Sequence, residues 1–427
     1  MRRLLLIAFA LPIAASAQSW VVLDQSPFDN YRFEDAAFLS PERGWIVNGD
    51  GETFETQDGG ETWQMRSRVP GYLRTTAFPS ADIGWIGVLF NVNARLYETR
   101  DGGTTLVNVT DRIQPAIDGG VCGLFALDEQ HVFGVGEWDG PAYFIKTTDG
   151  GATWQSRDMT EYVGSLIDVR FTDPMNGIVV GGSNGIRDNS VAVVLATSDG
   201  GATWTERFRS SGEGTNSEWA WKLSFPSDDV GYVSVEHDGS DPDGKVLKTT
   251  DGGLTWAELE VPGGESMQGI GFIDEQTGWT SGRGTSMVTT DGGATWRETF
   301  DFIAGRVNRF EFFGDSLGYA MDTRIYRLER AVVASEGPTA TAELSLSASP
   351  VPSGGTVTFR YSLPEAGDVA LEIFDALGRR VALVHDGPLG TGDHTMTWSP
   401  PAETSGIYLA RLVAGDRMRT LRVVVTR

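Results

Sequence analysis

Thr147-Thr148-Asp149-Gly150-Gly151-Ala152-Thr153-Trp154 occurs six times in this 427-residue chain with small variations. The other copies begin at Thr56, Thr99, Thr197, Thr249 and Thr289. The aspartates, Asp58, Asp101, Asp149, Asp199, Asp251 and Asp291, fall 43, 48, 50, 52 and 40 residues apart. That period suits one four-stranded propeller blade per copy. The phrase reads as a tight hairpin: two glycines supply positive φ without steric cost, and the carboxylate accepts from the backbone N–H groups just ahead. Threonines suit the flanking strands, and the closing tryptophan opens the next strand as a large apolar anchor. The copy at Thr99 ends in Leu106, so a weaker anchor is expected there.

A second marker counts the blades independently. An apolar strand, a short turn and a Gly-aromatic step recur as Phe38 with Gly44-Trp45, Phe78 with Gly84-Trp85, Phe225 with Gly231-Tyr232, Phe272 with Gly278-Trp279 and Phe312 with Gly318-Tyr319. Phe171 with Gly177-Ile178 and Phe125 with His131-Val132 are looser versions, which makes seven units. The seventh stops at Arg324-Ile325-Tyr326-Arg327, while Ser19-Trp20-Val21-Val22-Leu23 looks like a closing strand without a unit. Joining the two closes the ring and leaves no bare sheet edge. The expectation is an all-β chain whose residues 18–331 form a seven-bladed β-propeller.

The repeated phrase resembles the Asp-box of BNR-type propellers, matching S/T-x-D-x-G-x-T-W throughout in five copies. The resemblance implies the fold and assigns the six aspartates a structural role. It says little about activity, because the same box occurs in sialidases, xyloglucanases, sortilin-type receptors and photosystem assembly factors.

Met1-Arg2-Arg3, an apolar run from Leu4 to Ile13 and Ala15-Ser16-Ala17 read as a cleavable signal peptide, residues 1–17. No apolar run is long enough to span a membrane, so an integral membrane protein is not expected. Cys122 is the single cysteine, which excludes a disulfide framework. The net charge of −24, or −26 once Arg2 and Arg3 are removed, argues against nucleic acid as a partner. It fits either a saline habitat or a cationic partner.

Residues 332–341, with Glu336-Gly337-Pro338, read as a linker, and residues 342–427 as a small immunoglobulin-like β-sandwich. This tail resembles the C-terminal sorting domain of type IX secretion cargo. The resemblance rests on Pro350-x-Pro352, Ile373-Phe374-Asp375-x-x-Gly378-Arg379-x-Val381, Gly392-x-His394-x-x-x-Trp398 and Ser405-Gly406-Ile407-Tyr408. Ser349-Pro350 stands where that family usually has Asn-Pro. The resemblance implies contact with the type IX machinery and a place outside, or on the outer surface of, a Gram-negative bacterium.

Long irregular insertions, Asn91–Arg95, Glu137–Pro141, Ser183–Ser190, Arg209–Glu218 and Glu236–Gly244, all fall at one rim, the expected functional face. Trp138, Trp219 and Trp221 have no place in the repeat. They read either as a ligand-stacking platform or as packing between blades. Aligning the inner strands on their phenylalanines puts Arg74, Asp168, Arg170, Lys222 and Arg309 at the channel mouth, with Glu34, Asp35, Gln268 and Asn308. These are the candidate ligand-binding residues.

No catalytic residue, metal ligand or cofactor is nominated. The four histidines lack ligand spacing, and Asp238 to Gly244 lacks the distant glutamate of an EF-hand. Arg74, Arg170 and Arg309 could imitate the arginine trio of sialidases, but those enzymes have six blades and an Arg-Ile-Pro segment absent here. The residues favour a monomeric, non-catalytic scaffold for an extracellular protein or glycan. The alternative is a sialidase- or xyloglucanase-like glycoside hydrolase using carboxylates on the loop-rich face.

Overall fold

The computed structural model describes residues 18–425 except 24, 28–31, 91–92, 186–188, 213–216, 239–241, 303–305, 315–316, 331–345, 350–354, 364–365, 376–378, 401–405 and 416. The expected signal peptide and linker lie outside the described residues, as do parts of the rim insertions and of the tail's Pro-x-Pro and Ser405 motifs. Two compact units result, Met1–Val332 and Val333–Arg427.

Among the described residues the first unit holds seven sheets, antiparallel but for one short strand in the third. Their inner strands are Phe33–Phe38, Tyr72–Ala77, Gly123–Ala126, Ser165–Phe171, Glu218–Ser224, Gly269–Phe272 and Arg309–Phe313, which define blades 1 to 7. The seventh blade is completed by Gln18–Val22, which pairs antiparallel with Ile325–Arg330, Trp20 opposite Leu328 and Val22 opposite Tyr326. Trp20 then packs edge-on against Trp279 at 5.4 Å, tying the closing strand to blade 6. Blade 3 carries a fifth strand that the sequence reading did not anticipate, Ile113–Gln114, which runs parallel to Trp154–Asp158.

The repeat residues explain why the blades stack. Phe272 pairs across the sheet with Gly278, where any Cβ would sit 2.5 Å from the phenylalanine ring, so only glycine admits the ring there. That ring stacks on Tyr232 of the preceding blade at 3.5 Å, as Phe78 does on Trp45 at 4.2 Å and Phe38 on Tyr319 of blade 7 at 4.4 Å. Each such pair adds about 0.5–1.5 kcal/mol beyond area burial.

The Asp-Gly-Gly turns latch the same interfaces. In the copy at Thr147, the Thr147 hydroxyl donates to Asp149 (2.8 Å) and accepts from Gly151 N–H (2.9 Å). Asp149 also accepts from the Thr153 N–H and hydroxyl at 2.9 and 2.6 Å. Both glycines have positive φ, 67° and 82°. The turn carbonyls accept from the preceding blade: Trp45 Nε1 donates to Gly102 at 3.0 Å, and Tyr319 donates to Gly59 at 2.8 Å. Leu106 does not open a gap; it packs against the cluster of Val47, Leu73 and Ile86.

Because inner and third strands of a blade run the same way, the Asp-Gly-Gly turns share one face with the turns that follow the inner strands. The loops after the second strands and those entering the inner strands share the other. These are called here the turn face and the loop face.

The second unit is a sandwich of a three-stranded sheet (Ser347–Ser349, Val357–Leu363, Gly392–Trp398) and a four-stranded one (Gly367–Asp375, Arg380–Leu389, Gly406–Ala414, Arg417–Val425). Phe359 and Trp398 from one sheet and Leu371, Ile373 and Leu412 from the other enter one apolar core.

Candidate functional site

The inner strands surround an axial channel, and its two ends differ. Toward the loop face it is closed by a web of ion pairs centred on Glu34 of blade 1, which is fully buried. Arg32 donates to Glu34 from Nε (2.9 Å) and from its second terminal nitrogen (3.1 Å), and Arg74 of blade 2 stands 3.1 Å away. Tyr72 donates to the same carboxylate, and Asn308 of blade 7 donates to the Glu34 carbonyl at 2.7 Å. Burial alone would raise the Glu34 carboxyl, but Arg32 and Arg74 outweigh it and hold the group below the usual carboxylate range.

The web continues across the ring. Arg32 reaches Gln268 at 2.5 Å, Gln268 donates to Glu236 at 2.7 Å, and Arg283 stands 3.1 Å from the same Glu236 oxygen. Trp221 of blade 5 donates to Asn308 of blade 7 (3.3 Å), while the Arg74 guanidinium lies 5.8 Å over its ring. Blades 2, 5 and 7 are not neighbours, so this indole lies across the axis.

Deeper in the channel, Arg309 of blade 7 meets Asp35 of blade 1 at 2.5 Å and Asp168 of blade 4 at 3.7 Å. Asp35 also accepts from the Thr75 hydroxyl (2.7 Å) and Thr76 N–H (3.0 Å). Lys222 of blade 5 is 3.9 Å from Asp168 and makes no hydrogen bond through its amine. Burial, with Arg309 adding and Asp168 opposing, pulls that amine down to about 8.

Below this layer a cavity of about 370 Å³, lined by the later halves of the inner strands, lies on the turn-face side. Asp35, Asp168 and Arg309 form its floor; Arg170 and Glu311 stand in its wall. Burial, reinforced by Asp35 and Asp168 and opposed by Arg309, pushes Glu311 up to about 7.

The structure therefore brings Arg74, Asp168, Lys222 and Arg309 together around the axis, and sets Arg170 apart toward the turn face, its guanidinium 4.8 Å over Phe225. Trp138, Trp219 and Trp221 form one cluster with Ile167. Trp219 and Trp221 are 1% and 5% exposed, which fits the second of their two readings: they pack between blades, where a bulge between Ala220 and Leu223 turns the strand.

Phe90, which the sequence reading passed over, is the exposed aromatic of this region. It is 66% exposed, holds φ at 54°, and meets Tyr72 and Trp138 edge-on at 5.8 and 6.4 Å. A phenylalanine at positive φ is a strained backbone position costing of order 1–3 kcal/mol. Arg32, Tyr72, Glu236 and Glu311 were missed as well. Among the described residues no cluster of three His, Cys, Asp or Glu side chains could hold a metal ion, and no helix is long and apolar enough to cross a membrane.

Seven blades closed around a polar axis define a seven-bladed β-propeller followed by a β-sandwich. No protein-family description and no curated protein matches the sequence. Among solved structures the chain is similar to YCF48 from Cyanidioschyzon merolae (21% identity, TM-score 0.56, covering 73% of this chain and 99% of that one). It is similar also to YCF48 bound to a D1 peptide (19%, 0.54, 74% and 97%) and to the WD40 propeller of Doa1 (12%, 0.53, 75% and 100%). An ancestral GH74 enzyme aligns over 95% of this chain and 63% of its own length at 12% identity and TM-score 0.51. At these identities the likeness is one of fold.

Proposed function

We propose that the protein is a non-catalytic binding scaffold whose loop face receives a protein or glycan, displayed outside a Gram-negative cell. The carrying observation is Phe90, an exposed ring held at a strained φ against Tyr72 and Trp138, directly beside the ion-pair web that holds Glu34. Strain of this kind persists where surroundings over-determine it, and it clusters at ligand sites. A rigid aromatic edge suits an apolar side chain or a sugar face. The similar propeller YCF48 holds a D1 peptide, which supports a polypeptide as the first ligand class to test.

Export rests on the leader-like residues 1–17 and on the tail motifs around Gly378-Arg379 and Gly392-x-His394. Fractionation of the native host, with and without residues 342–427, checks it: surface or medium localisation that requires the tail supports the reading.

Hydrolysis has one observation behind it: burial raises Glu236 while its web lowers Glu34, as an acid and a base would need. Both, however, are sealed, at 2% and 0% exposure. The deciding experiment pairs glycan and peptide arrays with a screen of fluorogenic glycosides. Binding lost in Phe90→Ala and Trp138→Ala without turnover supports the scaffold. Turnover abolished by Glu34→Ala or Asp168→Ala overturns it.

A further inference from the structure

The turn-face cavity presents unmet partners of both signs. Among the described residues the Glu311 carboxylate makes no hydrogen bond; its nearest cation is Arg309 Nε at 3.9 Å, and Arg309 is already committed to Asp35. Its side chain remains a third exposed at the cavity wall. Glu311 belongs to blade 7. Three blades away, across the axis, Arg170 of blade 4 rests on Phe225, its Nε buried without a hydrogen bond and Asp228 the carboxylate that acts on it. The Lys222 amine, 1% exposed and without a hydrogen bond, lies behind this lining and does not face the cavity. The remaining carboxylates are occupied: Asp35 by Arg309, Thr75 and Thr76, and Asp168 by the Leu223 N–H at 3.0 Å.

An anion alone would leave Glu311 without a hydrogen-bonding partner, and a cation alone would leave Arg170 without one. We infer that this cavity is a second binding site, independent of the loop face, for a small ammonium–carboxylate zwitterion, a free amino acid or dipeptide. Its ammonium meets Glu311 and its carboxylate meets Arg170. A volume of about 370 Å³ lies at the small end of ligand pockets and admits a molecule of that size. Pairing a charge at each end of the ligand makes the combination selective.

The test is calorimetric titration of the full chain with glycine, glycylglycine and glycyl-leucine, with acetate and methylammonium as half-ligands. Binding of at least one zwitterion, with both half-ligands about ten-fold weaker or worse, is expected. Glu311→Gln and Arg170→Gln should each weaken it about ten-fold while leaving the melting temperature of the free protein near that of the wild type. The charged groups facing Glu311 are Arg309, Asp35, Asp168 and Lys222. With its carboxyl near 7, affinity should fall from pH 8 to pH 6 as Glu311 takes up a proton, and the fall should vanish in Glu311→Gln, which leaves the Lys222 amine titrating near 8. Three outcomes overturn the inference: no heat with any zwitterion, acetate or methylammonium alone binding as well, or a Glu311→Gln protein that binds like the wild type. Phe90→Ala should leave this titration unchanged, which separates its failure from that of the loop-face reading.

Discussion

The two ends of the channel are built from the same seven strands and the same residue types, yet they do opposite things. At the loop end Glu34 collects Arg32, Arg74, Tyr72 and Asn308, and its charge is held on. At the turn end Glu311 has one distant cation, and its charge is pushed off. A carboxylate surrounded by donors is structure; one facing a cavity with few partners is free to meet something else. The exposed surface at the loop end is therefore aromatic, above a web in which Glu34 is fully partnered, whereas at the turn end it is ionic and Glu311 has no hydrogen bond.

The largest expected effect tests the lock. Glu34→Gln leaves Arg32 and Arg74 near the axis without their shared counter-charge, and a broken buried pair costs about 3–5 kcal/mol. Urea unfolding should show a loss of that size. A loss below about 1 kcal/mol would mean that the web is solvated and that the contrast between the ends is false.

The scaffold that holds both ends should respond next. Gly201, at φ 86°, would place a Cβ 2.3 Å from Phe144 of the preceding blade, so Gly201→Ala combines strain with a clash. A destabilisation of about 2–3 kcal/mol is expected by the same urea assay. The turn aspartates are held low by their threonines, Asp199 and Asp251 to about 2. Their folded pKa lies below the unfolded one, so their contribution is present above the usual carboxylate range and disappears as pH falls toward 2. Acid unfolding that begins well above that range would have to come from other groups.

Much of this was legible beforehand, and the reasons are physical. Six turns whose residues must adopt positive φ announce themselves in composition, and a ring must close, so the pairing of the first strand with the last blade followed from the orphan half-units at each end. Ile113–Gln114 did not, because two residues carry no period. Aligning strands on their phenylalanines found Arg74, Asp168, Lys222 and Arg309, since one inner-strand position faces the axis in every blade. Glu311, two residues beyond Arg309 on the same side of its strand, was within reach of that alternation. Arg32 precedes its strand and Glu236 sits near the end of a second strand, where no such alignment applies. The burial of Trp219 and Trp221 depends on a bulge, and Phe90 is marked by a backbone angle; neither feature is written in residue type.

A smaller effect sharpens the contrast at the turn end. Glu311 has a raised folded pKa, so its ionisation weighs against the fold as pH rises from the unfolded value toward about 7 and beyond. Glu311→Gln removes that penalty. With the side chain a third exposed, solvent screening reduces the gain to about 1 kcal/mol at pH 8, vanishing near pH 4. Equal stability of the two proteins at both pH values would place Glu311 in open solvent and remove the distinction between the ends.

The smallest effect on stability carries the most about function. In Phe90→Gly the exposed ring contributes little to the core, and glycine relieves the strain at φ 54°, so the two terms nearly cancel. Urea midpoints should agree within about 0.5 kcal/mol. Binding on a peptide or glycan array should nonetheless fall about ten-fold or more, because the aromatic edge shared with Tyr72 and Trp138 is gone. A variant that binds normally would move the ligand surface off the loop end. One that is destabilised by 2 kcal/mol or more would make Phe90 a packing residue, and its strained backbone a by-product of folding.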